Sequence, residues 1–164
     1  MNLVDHSDDP KRAARWPLYY FLLASLAVGA AASLFTEPNI RTWYAGLNHP
    51  AIAPPDTVFA PVWTLLYIVM AVAAWRVWRK SGLKSLEMAA FAVQLLLNFA
   101  WSVIFFALHR IGAALAEIVL LDLAVAATIV LFIRRDLWAG LMLLPYLAWT
   151  GFATLLTDAL RRLN

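Results

Sequence analysis

Residues 43–67 read WYAGLNHPAIAPPDTVFAPVWTLLY, and this stretch decides how the rest of the chain is arranged. It joins one long apolar segment to the next and contains four prolines and five aromatic residues. Proline has no N–H and a fixed φ, and it disfavours helix in the residue before it, so residues 47–55 are predicted to be extended or turned. Trp and Tyr favour the membrane–water boundary because their apolar rings carry a polar group. A stiff aromatic loop that leads into a membrane helix therefore predicts a lid over something held between helices.

The composition is that of a membrane protein. Of the 164 residues, 63% are apolar and 14% are charged, whereas a soluble domain carries about a quarter charged residues. The charges fall into short groups separated by long uncharged runs, which indicates a polytopic membrane protein. The net charge of +3 does not predict a nucleic-acid partner, because the basic residues lie at the ends of the apolar runs. Without Cys the chain has no disulfide, thiol nucleophile or thiolate haem ligand.

Five apolar runs are long enough to cross the hydrocarbon core, which takes about 20 helical residues. We predict spans at residues 16–35, 58–77, 86–108, 112–133 and 137–156. The first run also has the features of a secretory signal, but it is longer than the apolar part of a signal peptide and four spans follow it. Ser25, Gly29 and Ser33 form a stripe of small residues that lets another helix approach closely. Pro145 lies inside the fifth run and should bend that helix.

The basic residues at the span ends predict the orientation. Five spans place the termini on opposite sides, with nine Lys and Arg residues on the amino-terminal side and four on the other. The positive-inside rule then puts the amino terminus in the cytoplasm and the proline-rich loop outside. We predict a polar cytoplasmic tail (residues 1–15), one five-helix domain (16–158) and a basic carboxy-terminal end (159–164). Spans this hydrophobic favour a bacterial inner membrane.

A polar stripe runs along the third span. Gln94, Asn98 and Ser102 are spaced i, i+4 and i+8, so they share one helix face. Polar side chains in lipid need partners, which predicts that this face looks into the bundle. The stripe either makes interhelical hydrogen bonds, worth about 0.6–2 kcal/mol in model systems, or lines a ligand pocket. Spacing alone favours the hydrogen bonds.

Two pairs of aromatic residues suggest a binding surface for a flat molecule. Trp63 and Tyr67 share a face of the second span, and Tyr146 and Trp149 share a face of the fifth. Such rings bind a flat conjugated molecule by offset stacking. The alternative is anchoring at the membrane surface. We assign that anchoring role to the tryptophans at the span ends, Trp16, Trp78 and Trp138.

Two acidic residues lie in the fourth span. Glu117 is about one turn in, whereas Asp122 lies about 15 Å from the start at 1.5 Å per residue. A carboxylate at the bilayer centre costs at least about 2.5–3.5 kcal/mol, so Asp122 should be neutral, paired or facing water. The two residues are about 140° apart around the helix and do not form an acid/base pair. A proton or cation path is one interpretation, and a protonated, hydrogen-bonded carboxyl is the one we prefer for Asp122.

No metal or catalytic motif is recognisable. His6, His49 and His109 fall in the tail or the loops, so none is predicted to be an axial haem ligand inside the bundle. The sequence contains no Walker loop, dinucleotide-binding glycine pattern, Ser-His-Asp set or cluster of metal ligands. We therefore assign no catalytic residue, no metal site and no required cofactor.

Four motifs in series resemble the tryptophan-rich sensory protein / translocator protein (TspO, peripheral benzodiazepine receptor) family. They are WYAGLNHPAIAPP (43–55), FAPVWTLLY (59–67), QLLLNFAWSVIFF (94–106) and LPYLAWTGFATLL (144–156). The match covers nearly the whole chain beyond the amino-terminal tail. The resemblance implies an all-α bundle of five transmembrane helices, often a homodimer, with a ligand pocket closed by the first loop. It also implies binding of porphyrin-type tetrapyrroles such as protoporphyrin IX and haem, and of hydrophobic drug-like molecules.

The resemblance and the spacing together predict the site residues. Asn98, Trp63 and Trp149 match pocket positions of the family, which shifts the preferred interpretation of these side chains to pocket lining. The predicted ligand-binding residues are Trp43, Trp63, Tyr67, Gln94, Asn98, Trp101, Tyr146 and Trp149. The predicted lid residues are Leu47, Pro50, Pro54 and Pro55.

The chain departs from the family pattern at three places. Eukaryotic relatives bind cholesterol through a carboxy-terminal motif of Leu or Val, Tyr and Lys or Arg. Here residues 154–164 read TLLTDALRRLN, with no Tyr before Arg161, which argues against sterol binding there. Thr157 stands where family members commonly have Asn, and Asp122 stands where an apolar or aromatic residue is expected.

The predicted function is a membrane receptor or sensor that binds tetrapyrroles and regulates their levels or a stress response. One rival is an enzyme that degrades porphyrins with light and oxygen, and it predicts a product that depends on Trp63 and Trp149. A second is a transporter of tetrapyrroles or other lipophiles, although five spans give no inverted repeat. A third is a membrane scaffold whose aromatic residues only pack, which predicts no saturable binding.

Overall fold

The computed structural model describes residues 16–164, and every regular element in this part of the chain is a helix. The α-helices are α1 (Trp16–Ile40), α2 (Phe59–Ser81), α3 (Leu86–Ser102), α4 (Ile111–Arg135), α5 (Leu137–Met142) and α6 (Leu144–Leu163). Five helical segments are long and apolar enough to cross a membrane, which confirms the predicted five-span all-α fold and an integral, multi-pass membrane protein. The predicted tail at residues 1–15, which includes His6, lies outside the described residues.

The first helix is longer than its apolar run. It continues to Ile40 through Pro38, beyond the predicted span end at residue 35. Polar side chains bond to the preceding turn here: Asn39 Nδ2 donates to the Phe35 carbonyl oxygen at 2.8 Å. Apolar length predicts only the part of a helix that crosses the hydrocarbon core, and the last turn of α1 extends past it.

Within the small-residue stripe of α1, Gly29 lies against α2, so this glycine lets another helix approach closely, as predicted. A Cβ atom added to Gly29 would lie 2.5 Å from Tyr67 Cε2, so only glycine permits this approach. Ser25, one turn earlier, is fully buried. Ser33, one turn later, is exposed and borders a cavity instead. The α1–α2 contact therefore opens toward the end of the bundle that carries the first loop.

The fifth span is two helices, and the break lies where Pro145 predicts a bend. The turn residue Leu143 separates α5 from α6, and Pro145 occupies the start of α6, where a missing N–H costs no helical hydrogen bond. Asp136 caps α5, because the Ala139 N–H donates to Asp136 Oδ1 at 3.0 Å. Gly140 sits so close to α4 that an added Cβ would lie 2.9 Å from the backbone nitrogen of Ile133.

Ion pairs join the helices at the end opposite the first loop. Asp136 is buried, and its Oδ2 forms ion pairs with Arg76 Nη2 at 3.0 Å and with Lys80 Nζ at 2.9 Å. Burial raises the pKa of the Asp136 carboxyl, but hydrogen bonds from Lys80, from the Ala139 N–H and from Arg76 outweigh it and lower the pKa to about 2. These contacts tie the end of α2 to the α4–α5 junction.

Candidate functional site

A cavity of about 1180 Å³ lies between α1, α2, α3 and α6 at the end of the bundle that carries the first loop. Pockets for small molecules and cofactors measure about 300–1,000 Å³, so this cavity has room for a large ligand. Neither α4 nor α5 contributes to its wall. The site is therefore built on four helices, with α4 packed behind α3 and α6 as support.

Aromatic side chains from three helices form much of the wall. Trp63 and Tyr67 of α2, Trp101 of α3 and Trp149 of α6, four of the residues predicted to bind ligand, all border the cavity. Trp63 lies 5.8 Å from Tyr67 between ring centroids. The indole Nε1 atoms of Trp101 and Trp149 are buried and have no hydrogen-bond partner among residues 16–164. A ligand in this cavity therefore meets flat apolar ring faces, while the two indole N–H groups stay buried in the wall.

A π-helical turn brings further rings to the same wall. Residues Val103–Ala107 continue α3 with this wider turn, and Phe105 and Phe106 both border the cavity. Phe105 stacks on Trp101, with ring centroids 5.1 Å apart and an interplanar angle of 17°. Short π-helical segments occur frequently at functional sites. Here the segment lets two consecutive phenylalanines face inward.

Asn98 connects three helices and also borders the cavity. Its Oδ1 accepts a hydrogen bond from the Tyr67 hydroxyl of α2, and its Nδ2 donates to the Tyr146 hydroxyl of α6 at 3.2 Å. The sequence presented interhelical bonding and pocket lining as alternatives for this stripe. In the structure one side chain does the first and is positioned for the second.

The other two members of the polar stripe, Gln94 and Ser102, differ in whether they reach the cavity. Ser102 borders the cavity, whereas Gln94 does not. Gln94 is 1% exposed, and neither its amide nitrogen nor its amide oxygen has a partner among residues 16–164. Tyr146 is also fully buried, but it stands behind Asn98 and away from the wall. Both were predicted as ligand-binding residues, and the structure does not bring either to the cavity.

The first loop reaches the cavity with different residues from those predicted. Residues 47–55 are non-helical, as the prolines predict. The predicted lid residues Leu47, Pro50, Pro54 and Pro55 are not among the lining residues. Instead Tyr44, Asp56 and Thr57 border the cavity, and all three belong to short 3₁₀ turns at either end of the loop.

Trp43 anchors the loop from outside the cavity and is not among the lining residues. It stacks on His109, with centroids 4.3 Å apart and an interplanar angle of 12°, and packs edge-on against Phe105. His109 also contacts the end of α1, because its Nε2 lies 3.0 Å from Asn39 Oδ1 and donates to it. Trp43 therefore holds the loop against α3 and against the end of α1.

The carboxy-terminal residue clamps the same loop. The Asn48 N–H donates to Asn164 Oδ1 at 2.9 Å, and Asn164 Nδ2 donates to the Asn48 carbonyl oxygen at 3.2 Å. Asn48 Nδ2 in turn donates to the Leu163 carbonyl oxygen at 3.2 Å. The pairing resembles a short stretch of sheet made partly by side chains, and it joins residues 116 positions apart.

The comparisons with known proteins agree with this architecture. The sequence profile of the TspO/MBR family matches residues 21–162. The chain belongs to the TspO/MBR family. It is 45% identical to the tryptophan-rich protein TspO of Archaeoglobus fulgidus over 87% of this chain and 94% of that protein. It is 38% identical to the tryptophan-rich sensory protein of Cereibacter sphaeroides (91% and 92% covered) and 36% identical to the translocator protein of Homo sapiens (90% of each).

Sequence reasoning missed several lining residues of this TspO/MBR protein. On α6 they follow Trp149 at helical spacing, as Ala153, Leu156, Thr157 and Leu160. That i, i+4, i+7 pattern is visible in the sequence and extends the face that Trp149 begins. Thr157 donates its hydroxyl proton to the Ala153 carbonyl oxygen at 2.7 Å. It therefore offers a ligand only acceptor lone pairs, whereas an Asn there would offer N–H donors.

Charged residues at the edge of the cavity were also missed. Glu37 of α1, Arg41 in the turn that follows α1 and Asp56 of the first loop border it. None of the three forms an ion pair with another residue in the range 16–164. The cavity of this family member therefore has an aromatic interior and a charged edge. The i, i+4 spacing of Glu37 and Arg41 just past the apolar run is the signal that could have found them.

Asp122 lies outside the cavity wall and accepts a hydrogen bond from Thr154, and its protonation stays a prediction. Thr154 Oγ1 lies 2.7 Å from Asp122 Oδ2 and 3.0 Å from the Thr150 carbonyl oxygen. A hydroxyl has one proton, so Thr154 cannot donate to both at once. Both carboxyl oxygens of Glu117 are buried without a partner among residues 16–164.

Proposed function

We propose that this family member is a membrane receptor that binds porphyrin-type tetrapyrroles, such as protoporphyrin IX and haem, and other large hydrophobic ligands in the four-helix cavity. On this proposal ligand binding regulates tetrapyrrole levels or a stress response. The names of two relatives, a sensory protein and a translocator protein, support a role in sensing or in handling a ligand. Porphyrin is a ligand in this scheme and not a resident cofactor.

The observation that carries the proposal is the set of indole rings around a cavity of about 1180 Å³. A porphyrin is a large flat aromatic molecule, and offset or edge-on contacts with aromatic rings are worth about 0.5–1.5 kcal/mol each beyond burial. Trp63, Trp101 and Trp149 present such rings from three different helices. Stacking and shape can hold the macrocycle without an axial metal ligand, so the metal-free ring should bind as well as haem.

The charged edge gives the bound ligand a preferred direction. The propionate groups of a porphyrin are negative, and they are stabilised in water or beside a cation. Arg41, in the turn that follows α1, supplies a cation at the edge of the cavity, and the carboxylates of Glu37 and Asp56 at the same edge leave it as the favourable side for a propionate. The macrocycle then lies among the indoles with its propionates toward Arg41.

The test is a titration with protoporphyrin IX, followed by quenching of tryptophan fluorescence in detergent-solubilised protein. The Trp63→Phe/Trp149→Phe variant removes two indoles from the cavity, and Trp138→Phe is the matched control because Trp138 is 66% exposed and borders no part of it. We expect saturable binding whose midpoint rises about tenfold or more in the double variant and stays unchanged in the control. Unsaturable quenching that is equal in all three proteins would overturn the pocket assignment.

A second candidate function is breakdown of the bound porphyrin under light and oxygen. The observation that favours it is that redox-active indoles border the same cavity as the proposed ligand. Illumination of the titrated samples in air, followed by product analysis, separates the two functions. A product that forms in wild type and fails to form in the Trp63→Phe/Trp149→Phe variant would establish the enzyme. Equal product in both proteins would assign the reaction to the porphyrin alone.

A further inference from the structure

A second cavity, of about 520 Å³, lies at the opposite end of the bundle between the start of α3 and the end of α4. It is far from the first loop, because α2 runs the length of the bundle between them. Three basic side chains border it, namely Lys84, Arg134 and Arg135. None of these residues takes part in the proposed tetrapyrrole site, so the cavity raises a separate question.

The charges of this cavity are only partly balanced. Arg135 Nε is 2.6 Å from Glu87 Oε1, and this pair uses the one carboxylate on the wall. Lys84 and Arg134 are exposed and form no hydrogen bond or ion pair with any residue in the range 16–164. The amino terminus of α3 adds its partial positive charge at the same place. An anion is therefore the complementary ligand.

The apolar residues of the wall indicate that the anion belongs to a lipid. Leu86 is 68% exposed and Leu131 is half-buried, and both border the cavity beside the basic side chains. They lie at the ends of two membrane spans, at the level where the hydrocarbon core meets the headgroups. A free anion in water makes no use of these leucines, whereas a lipid covers them with its acyl chain.

We propose that this cavity binds the phosphate headgroup of an anionic phospholipid such as phosphatidylglycerol. Lys84 and Arg134 bind the phosphate oxygens, and the acyl chain runs along Leu86 and Leu131 into the bilayer. Basic pockets between transmembrane helices recognise anionic headgroups by this combination of charge and apolar contact. The site joins α3 to α4, so a bound lipid also stabilises the contact between these helices.

The experiment titrates the full chain in neutral detergent with phosphatidylglycerol and measures, by native mass spectrometry, the fraction of protein that carries one lipid. Lys84→Gln/Arg134→Gln removes the two unpaired charges. Arg110→Gln is the matched control, because Arg110 is an exposed arginine at the other end of the bundle and has no ion pair among residues 16–164. Each basic residue contributes about fivefold to headgroup affinity, so we expect the double variant to bind about 25-fold more weakly. The control should bind as wild type does.

Further outcomes decide the proposal. Phosphatidylcholine should bind wild type and the double variant equally weakly, and 0.5 M salt should weaken only phosphatidylglycerol binding. If inorganic phosphate competes as strongly as phosphatidylglycerol binds, the occupant is a free anion and the lipid assignment is wrong. If both lipids bind both proteins alike, the cavity is not a headgroup site. Equal melting temperatures of the variants without lipid show that folding is unchanged, which the exposure of both side chains predicts.

Discussion

At the scale of single residues, Asn98 shows how one side chain can organise a membrane bundle. It accepts a hydrogen bond from the Tyr67 hydroxyl and donates one to the Tyr146 hydroxyl, so the amide joins α2, α3 and α6. Both tyrosines are buried, and a buried polar group without a partner costs about 1–3 kcal/mol. The amide also determines which way the Tyr67 ring faces the cavity.

Asn98→Ala should therefore lower the free energy of unfolding by about 1–3 kcal/mol, because it leaves two buried hydroxyls without their partner. The measurement is reversible unfolding in mixed micelles. Ser102→Ala is the control: it lies one turn further on the same face, borders the same cavity, and should change stability by less than about 0.5 kcal/mol. Equal losses in both variants would mean that the Asn98 hydrogen bonds contribute nothing specific.

At the scale of helices, the contact between α1 and α2 depends on Gly29. Gly29→Ala would place a methyl group against the Tyr67 ring, which is held by Asn98 and cannot rotate away without losing that bond. We expect a loss of about 1–3 kcal/mol from overpacking. Gly151→Ala should instead raise stability. A Cβ atom added at Gly151 meets open space, and alanine removes the helix penalty of glycine, which gains up to about 1 kcal/mol. Thermal melts of the two variants in one detergent test both signs.

The junction of α2 with α4 and α5 gives a prediction about pH. Because the folded-state pKa of Asp136 is lowered to about 2, its ion pairs add stability above the ordinary carboxyl pKa, and this stability is lost as the pH falls toward 2. Asp136→Asn keeps the cap of α5 but loses the charge. We expect the variant to be less stable than wild type at pH 7, with a difference that shrinks as the pH falls and disappears below about pH 2. A difference that stays constant across this range would contradict the ion-pair explanation.

The helices themselves could be predicted from the sequence, whereas several site contacts could not. Apolar length predicts five spans, and Pro145 predicts the break that separates α5 from α6. The π-helical turn at Val103–Ala107 has no signal of its own, because an apolar run looks the same at either helical pitch. The loop prolines predicted the extended backbone correctly but not which side chains turn inward. That direction is set by distant partners, such as His109 for Trp43.

At the scale of the whole molecule, the two ends of the bundle differ. One end carries the aromatic cavity and a loop that is fastened to the bundle at two places, through Trp43 and Asn48. The other end carries the ion pairs of Asp136 and Glu87 and the unpaired cations of the second cavity. The orientation proposed from charge, with the amino terminus in the cytoplasm of a bacterial inner membrane, puts the basic end on the cytoplasmic side. The homodimer implied by the resemblance stays a prediction.

The clamp between Asn48 and Asn164 connects the loop to the far end of the chain, so it should control exchange of ligand with the cavity. Asn164→Ala removes both hydrogen bonds that Asn164 makes to Asn48. The loop then opens more often, and we expect the association and dissociation rates of protoporphyrin IX to rise together, about fivefold, with little change in the dissociation constant. Stopped-flow fluorescence measures both rates, and hydrogen exchange across residues 47–55 reports the opening without ligand.

Arg162→Gln is the control, because Arg162 pairs with Asp158 on α6 and makes no hydrogen bond or ion pair with the loop. Faster exchange of the loop amides with unchanged ligand rates would show that ligand enters by another route, between the helices from the bilayer.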